Sequence, residues 1–589
     1  MRQRGEGKNG GSPPTMHVNR ILAGLLAGLA LLFLASQWRA IHTENVNWDE
    51  FAMLSRTQAT MRTGRVQASG RPGLVTLMLV PFASNCSNAV EAILNARKLW
   101  LGFTVAYLAG VFALVLAATP RQRNSWHGAA LAVALIAMVP LFLRWSLHVR
   151  TDQPALMFAC WGGVLLLASS RHRWLAAAAG AMFALGYLCS QKALYIAALA
   201  LVLLMMRLAP ELRLRAIAWR RALALLTMAA ASALAVAAGY RIALSFFYDP
   251  PVALSLQATF NTFEFYRAVF GYRAYWAMLP SLTAHVLLVT LLLCALAISG
   301  RRPLRNRAPL IASWLVLLAG FAVALFHAAA FPYFWMTLGV FPAVAIGVGR
   351  EAILEVFEGP VGKALLTVAA ALLLMSAVPA AVALRQDTQR VQRDALAFID
   401  GNFDPAARGF QSEGALLCRT DPNPFRTYFA DAVTSQFTGA SGRPRAEAFI
   451  NEFRSRPVAF MIAHRLFRYP DIIDAFWKTH YVLYRDEVMI PGRRVTGSRG
   501  DAFELDVIVP GQYRWLPTST KPARLAFGGM VLDSRSVVTL DRGVHEFVLL
   551  DDVPTGLLVF AVKDDPRPAG ANFYDPLVIH EIDPLSPRF

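Results

Sequence analysis

Residues 20–50 read RILAGLLAGLALLFLASQWRAIHTENVNWDE. Two features of this stretch set the reading of everything after it. From Arg20 to Trp38 the residues are almost wholly apolar, and about 20 such residues cross a bilayer as a helix. The run follows a basic start, as a signal peptide would. It ends, however, in the bulky Gln37-Trp38-Arg39, which offers no small-residue cleavage site, and it leads into further apolar runs, so it is expected to be a retained span. The second feature is Asn47-Trp48-Asp49-Glu50, an acidic pair set just beyond that span.

Working outward, runs of the same kind recur near 98–118, 128–146, 153–170, 174–190, 191–206, 222–244, 276–298, 308–328, 331–349 and 364–384, about eleven with the first. The composition agrees. Of 589 residues 56% are hydrophobic and 16% charged, against roughly 25% charged in a soluble globular chain. The net charge of +19 and a pI near 10.1 would suit a nucleic-acid partner. The bases instead cluster between apolar runs, at Arg2, Arg4, Lys8 and Arg20, then Arg121 and Arg123, Arg171 and Arg173, Arg207 to Arg221, and Arg301 to Arg307. This alternation is the positive-inside pattern of a polytopic membrane protein, and no nucleic acid is expected. It puts the N-terminus in the cytoplasm and, with an odd span count, the last 200 or so residues outside. A bacterial inner membrane with a periplasmic C-terminal part is the expected location.

The long loop at about 39–97 contains Phe51, Leu54, Gln58 and Met61 at helical spacing and a second short helical stretch from Asn88 to Arg97, as interfacial helices would. The loop at about 245–275 is rich in aromatics, from Phe246 to Tyr275, which an interface belt alone would explain. After Leu384 the pattern changes. Strand candidates at 458–463 and 481–484 mix with amphipathic helix candidates at 387–400, 445–455 and 470–478, a small α/β pattern. From 501 onward short strands alternate with turns, as at Val537–Leu540, Asp541-Arg542-Gly543 and Val544–Leu550, which suggests a sandwich. The expected division is therefore 1–384 in the membrane, 385–500 as an α/β domain and 501–589 as a β-sandwich.

No GxxxxGK[ST] phosphate loop, GxSxG elbow or DxD pair is present, and the five cysteines form no CxxC. This weighs against nucleotide-driven transport, soluble nucleotide-sugar chemistry and a cysteine-held metal. What remains are polar groups on outer-facing turns: Asp49 and Glu50; Arg97-Lys98; Arg150-Thr151-Asp152-Gln153-Pro154; and Ser190-Gln191-Lys192. Ionisable groups at a membrane face usually have a partner or a task. Each has a plainer reading. Asp49 and Glu50 would be a solvated pair, Asp152 a partner for Arg150, and Arg97 and Lys98 anchors for lipid headgroups. His42, His148, His285 and His327 are scattered without metal spacing and read as packing or interfacial residues.

In their order and sidedness these residues resemble the GT-C superfamily of membrane glycosyltransferases, most of all the branch of protein O-mannosyltransferases and lipid A aminoarabinose transferases. There the first outer loop opens on an acidic pair with the catalytic aspartate, matched by Asp49 and Glu50. Arg71-Pro72-Gly73 resembles that loop's Pro-Gly stretch, and Arg97 an arginine at the outer end of the second span. Asp152 resembles a second acid in an Arg-x-Asp-x-Pro setting. Phe331-Pro332-Tyr333-Phe334-Trp335 and Phe341-Pro342 resemble a late aromatic-proline segment. The likeness covers roughly residues 20–350. It implies a polyprenyl-phosphate sugar donor and an acceptor on a lipid, glycan or protein. Arg97, Lys98, Arg150 and Lys192 would hold the donor phosphate, and Asp49 would act as general base. Glu50 and Asp152 would orient Asp49 or, with oxygen ligands, Asp49 and Asp152 would hold a divalent ion. The alternatives are a transporter or flippase, and a non-catalytic scaffold that binds glycan.

Overall fold

Apolar runs fold as helices in lipid because only internal hydrogen bonding satisfies their backbone, and the first two-thirds of the chain does so. The computed structural model describes residues 14–66, 73–84, 89–119, 125–170, 172–212, 216–248, 282–299, 308–327, 334–356, 360–383, 386–410, 437, 441–463, 469–485, 487–517 and 523–566. Arg71-Pro72, Phe331-Pro332-Tyr333 and most of the aromatic loop at 245–275 lie outside these residues. Two units are distinguished: Met1–His42, Ala68–Val75 and Arg97–Gln386 form one, and Thr43–Gln67, Thr76–Ala96 and Asp387–Phe589 the other. The segments around Asp49 therefore group with the C-terminal part of the chain.

Three helices among the described residues are long and apolar enough to cross a membrane: Ala89–Ala118, Trp219–Phe247 and Pro309–Phe326. Shorter apolar helices include Ser125–Ala137, Asp152–Ala168 and Trp174–Cys189. These establish a membrane-type helical unit without fixing the number of spans at eleven. One expected span is interrupted. Residues 128–146 form two helices, Ser125–Ala137 and Pro140–Trp145, because proline at 140 has no N–H to continue the first and suits the start of the second. The short helix expected at 88–97 is not separate but is the start of Ala89–Ala118.

Helix Asp152–Ala168 packs on Trp174–Cys189 and on Ala193–Leu212, and Trp174–Cys189 packs on Ala216–Phe247. Small residues permit this closeness. A side chain at Gly180 would run into the Ala229 carbonyl, and one at Gly128 into the Gly347 carbonyl. Such contacts hold helices together in lipid, where burying apolar surface against a neighbour gains little.

The second unit is built on two sheets. Its strands are β1 Gly409–Phe410, β2 Phe460–Ile462, β3 Tyr481–Arg485, β4 Val488–Gly497, β5 Ala502–Val507, β6 Gly511–Pro517, β7 Leu525–Phe527, β8 Met530–Leu532, β9 Val537–Leu540, β10 Gly543–Leu549 and β11 Val553–Phe560. One sheet has the order β1-β2-β4-β11-β6-β9 with β3 also on β4, and the other the order β5-β10-β7-β8. The first runs continuously past residue 500, since β4 pairs with β11. Gly492 makes that pairing possible, because a side chain there would meet the Leu558 carbonyl oxygen at 2.5 Å.

Two cores fill this unit. Helices Gly442–Ser455 and Asp471–His480 bring Phe449, Phe453, Phe476 and Trp477 against Phe410 and Met461 of β1 and β2. Between the sheets lie Trp515, Leu525, Phe547 and Leu558. Alternating burial along β9 and β10 reflects a strand with one face toward a core.

Candidate active site

Asp152 opens its helix, where a negative charge meets the positive end of the helix dipole. Its side chain is 2% exposed, and both oxygens are engaged: Lys192 Nζ stands 2.8 Å from Oδ1 and Arg150 Nε 3.6 Å from Oδ2. Lys192 comes from the three-residue turn Ser190-Gln191-Lys192 between Trp174–Cys189 and the next helix. There Ala193, Leu194 and Tyr195 donate their N–H groups to the carbonyls of Ser190, Gln191 and Lys192, each at 3.1 Å. A base at a helix start is disfavoured by about 0.3–1 kcal/mol, and the buried carboxylate opposite offsets it. Two bases thus flank one buried acid.

The turn carrying Arg150 is shaped by its neighbours. The Gln153 amide donates toward the carbonyls of Trp145 at 3.2 Å, Ser146 at 3.3 Å and His148 at 2.8 Å. Trp100 Nε1 donates to the Arg150 carbonyl at 2.6 Å, and the Arg150 guanidinium lies over the Trp145 ring. Arg97, fully buried, precedes Trp100 by three positions and so shares its face of the helix. Lys98, in contrast, is exposed. The structure thus joins Arg150, Asp152 and Lys192 directly and places Arg97 on the helix face that braces them.

The sequence reading missed an aromatic wall beside Lys192. Its ammonium lies 5.6 Å from the centre of the Phe334 ring, an attractive cation–π geometry. His327, expected to be a packing residue, stacks on Phe334 at 3.9 Å and shares a 3.2 Å hydrogen bond with the Tyr195 hydroxyl. Only Phe334 carried a sequence signal, as part of the aromatic-proline segment.

Asp49 and Glu50 lie in the second unit, in the first turn of helix Trp48–Thr63. Asn47 caps this helix: its side-chain oxygen accepts the Asp49 N–H at 2.9 Å, and Glu50 Oε2 accepts the Asn47 N–H at 2.9 Å. This is a capping box, and Asn47-x-x-Glu50 was its signal in the sequence. Glu50 is fully buried, so it is no solvated loop residue, whereas Asp49 is half-buried. Gly64 closes the other end with φ 65°, a left-handed cap that glycine adopts without strain.

A divalent ion would need several oxygen ligands. Both Asp152 oxygens face bases, and among the described residues no three His, Cys, Asp or Glu side chains gather to hold a metal. The described residues do not fit a metal centre.

Helices bundled in this way share their fold with a solved structure. Among solved structures the chain is similar to ArnT from Cupriavidus metallidurans bound to undecaprenyl phosphate. The identity is 15%, covering 79% of this chain and 97% of that one, with a TM-score of 0.53. It is also similar to the oligosaccharyltransferase AglB from Archaeoglobus fulgidus in complex with an inhibitory peptide and a dolichol-phosphate, at 13% identity, 92% and 97% coverage and a TM-score of 0.46. No protein-family profile matches the sequence, and no curated protein does.

Proposed function

We propose that this protein transfers a sugar from a polyprenyl-phosphate-linked donor to an acceptor hydroxyl on a lipid, glycan or protein. The reaction takes place at the outer face of a bacterial inner membrane, with an N-terminus in the cytoplasm and about eleven spans. The observation that carries this reading is the buried cluster of Arg150, Asp152 and Lys192 in a helical unit of GT-C fold. Its two bases are of the kind that binds a lipid phosphate, and the ArnT structure, which shares the fold, holds undecaprenyl phosphate.

Arg150 and Lys192 bind the phosphate oxygens, with Arg97 and Lys98 contributing from their helix. Asp152 keeps the two bases in place. The acceptor oxygen attacks the anomeric carbon from the side opposite the phosphate, so the configuration inverts. The bond from that carbon to the phosphate oxygen breaks, and polyprenyl phosphate leaves with the electron pair. Phosphate is a good leaving group and needs no acid. The acceptor's proton passes to Asp49, whose place in a helix's first turn favours a negative charge.

The test is to offer purified protein lipid-linked sugars singly, with mass spectrometry of the products. Lys192→Ala and Arg97→Ala should weaken donor use more than folding. Robust transfer from a soluble nucleotide sugar without a lipid carrier would overturn the reading.

A further inference from the structure

The segment that leads to Asp49 has no helix or sheet of its own, yet much of its backbone is hydrogen-bonded. Residues 44–46 are buried, so their N–H and C=O groups need partners. All the partners given below come from a stretch that follows the helices. The Thr43 carbonyl accepts the N–H groups of Thr388 at 2.9 Å and Gln389 at 3.1 Å. Asn45 N–H donates to Thr388 Oγ1 at 3.0 Å, and Gln389 Nε2 donates to the Glu44 carbonyl at 3.5 Å.

Gln392 completes the set. Its side-chain oxygen accepts the Val46 N–H at 2.7 Å, and its amide donates to the Val46 carbonyl at 2.7 Å. One carboxamide thus does for Val46 what a neighbouring strand would do. Val46 and Gln392 are both fully buried, so neither can exchange its partner for water without cost. From Val46 the order passes straight to the helix cap: Asn47 N–H goes to Glu50 and Asp49 N–H to Asn47.

We infer that Gln392 is a positioning residue for Asp49, and that the stretch at 388–392 is part of the catalytic machinery. The inference rests on the reading of Asp49 as the base. Gln392 touches neither substrate nor reacting atom; it fixes where the helix bearing Asp49 begins.

A displacement near 1 Å costs a reacting group about 100-fold, so Gln392→Glu should lower kcat by roughly 10- to 100-fold. This variant keeps the size and the acceptor but sets a carboxylate against the Val46 carbonyl. KM for the lipid-linked donor should stay near wild type. Thr388→Val, which removes one hydroxyl, gives a smaller change in the same direction. The deciding measurement is a double-mutant cycle. In an Asp49→Asn background Gln392→Glu should cost no further rate, because there is no base left to misplace. If Asp49→Asn alone transfers sugar at the wild-type rate, the base reading fails. If Asp49→Asn is slow and Gln392→Glu slows it again by the same factor, or raises donor KM instead, the positioning role fails and the base stands. Should Gln392→Glu not fold, Thr388→Val in the same cycle decides on the same outcomes.

Discussion

Two aspartates each open a helix, and their surroundings assign them different work. Asp152 is 2% exposed and lies between Lys192 and Arg150. Asp49 is half-buried, and the cap of its helix is closed by Glu50 and by Asp49's own N–H. A carboxylate between two bases holds their charges in place. Asp49 enters its helix cap through its backbone N–H, and the neighbouring Glu50 closes that cap. The motif Asp-Glu at 49–50 thus divides its labour, with Glu50 building the helix start and Asp49 presented by it.

The hardest blow to this contrast would come from Asp49→Asn. It keeps the shape and removes the proton acceptor, so the transfer rate should drop about 10²–10⁴-fold while donor binding and thermal unfolding stay near wild type. Unchanged single-turnover transfer by the folded variant would erase the distinction. Asp152→Ala should act on stability instead. Removing one member of a buried pair costs about 3–5 kcal/mol, and here two cations lose their shared anion. Denaturant unfolding in detergent should show Asp152→Ala to be worse than Lys192→Ala, which leaves Arg150 as a partner. Equal losses would mean that Asp152 is not the centre of the cluster.

Smaller effects refine the comparison. Glu50→Gln retains an oxygen for the Asn47 N–H, so it should cost less than about 1 kcal/mol and slow transfer far less than Asp49→Asn. If the order of severity in rate were reversed, Glu50 would be the base. A third carboxylate, half-buried like Asp49, is paired with an exposed base. Asp551 accepts two hydrogen bonds from the Arg524 side chain, at 2.9 Å and 3.1 Å, and these hold its carboxyl below the ordinary range. A lowered pKa in the folded state gives stability that is whole above the unfolded value of about 3.9 and is lost as pH falls through the folded one. The C-terminal unit should therefore lose a small increment only in acid, and Asp551→Asn should abolish that acid dependence. Because the base is exposed, salt should weaken the pair. A loss near neutral pH would exclude Asp551 as its source.

Much of the fold was legible where a pattern is local. Phe51 and Leu54 lie on the buried face of a helix, as their spacing required, while Met61 turns outward. The candidates at 481–484, 537–540 and 544–550 match β3, β9 and β10. β4 escaped notice because Pro491-Gly492 and Arg493-Arg494 interrupt its alternation, and its place is set by β11, far along the chain. The site divides in the same way. Arg150 and Asp152 are two residues apart and were read as a pair, but Lys192 joins them from a separate turn that only helix packing brings near. His327 and Tyr195 carried no periodic or motif signal at all. Their meeting beside Phe334 is a product of tertiary structure.

The tie between Val46 and Gln392 joins residues 346 positions apart, and that separation has a consequence in time. A ribosome adds roughly 5–20 residues per second, so the Asp49 segment waits on the order of 20–70 s for the amide that will hold it. The helices of the membrane-type unit that follow Pro14–Thr43 are made in that interval. A chain whose synthesis stops before residue 392 would carry Asp49 and the Arg150–Asp152–Lys192 cluster and still lack the hold on Val46. On the proposed function, the full rate of transfer would then be reached only once synthesis has passed beyond the helices.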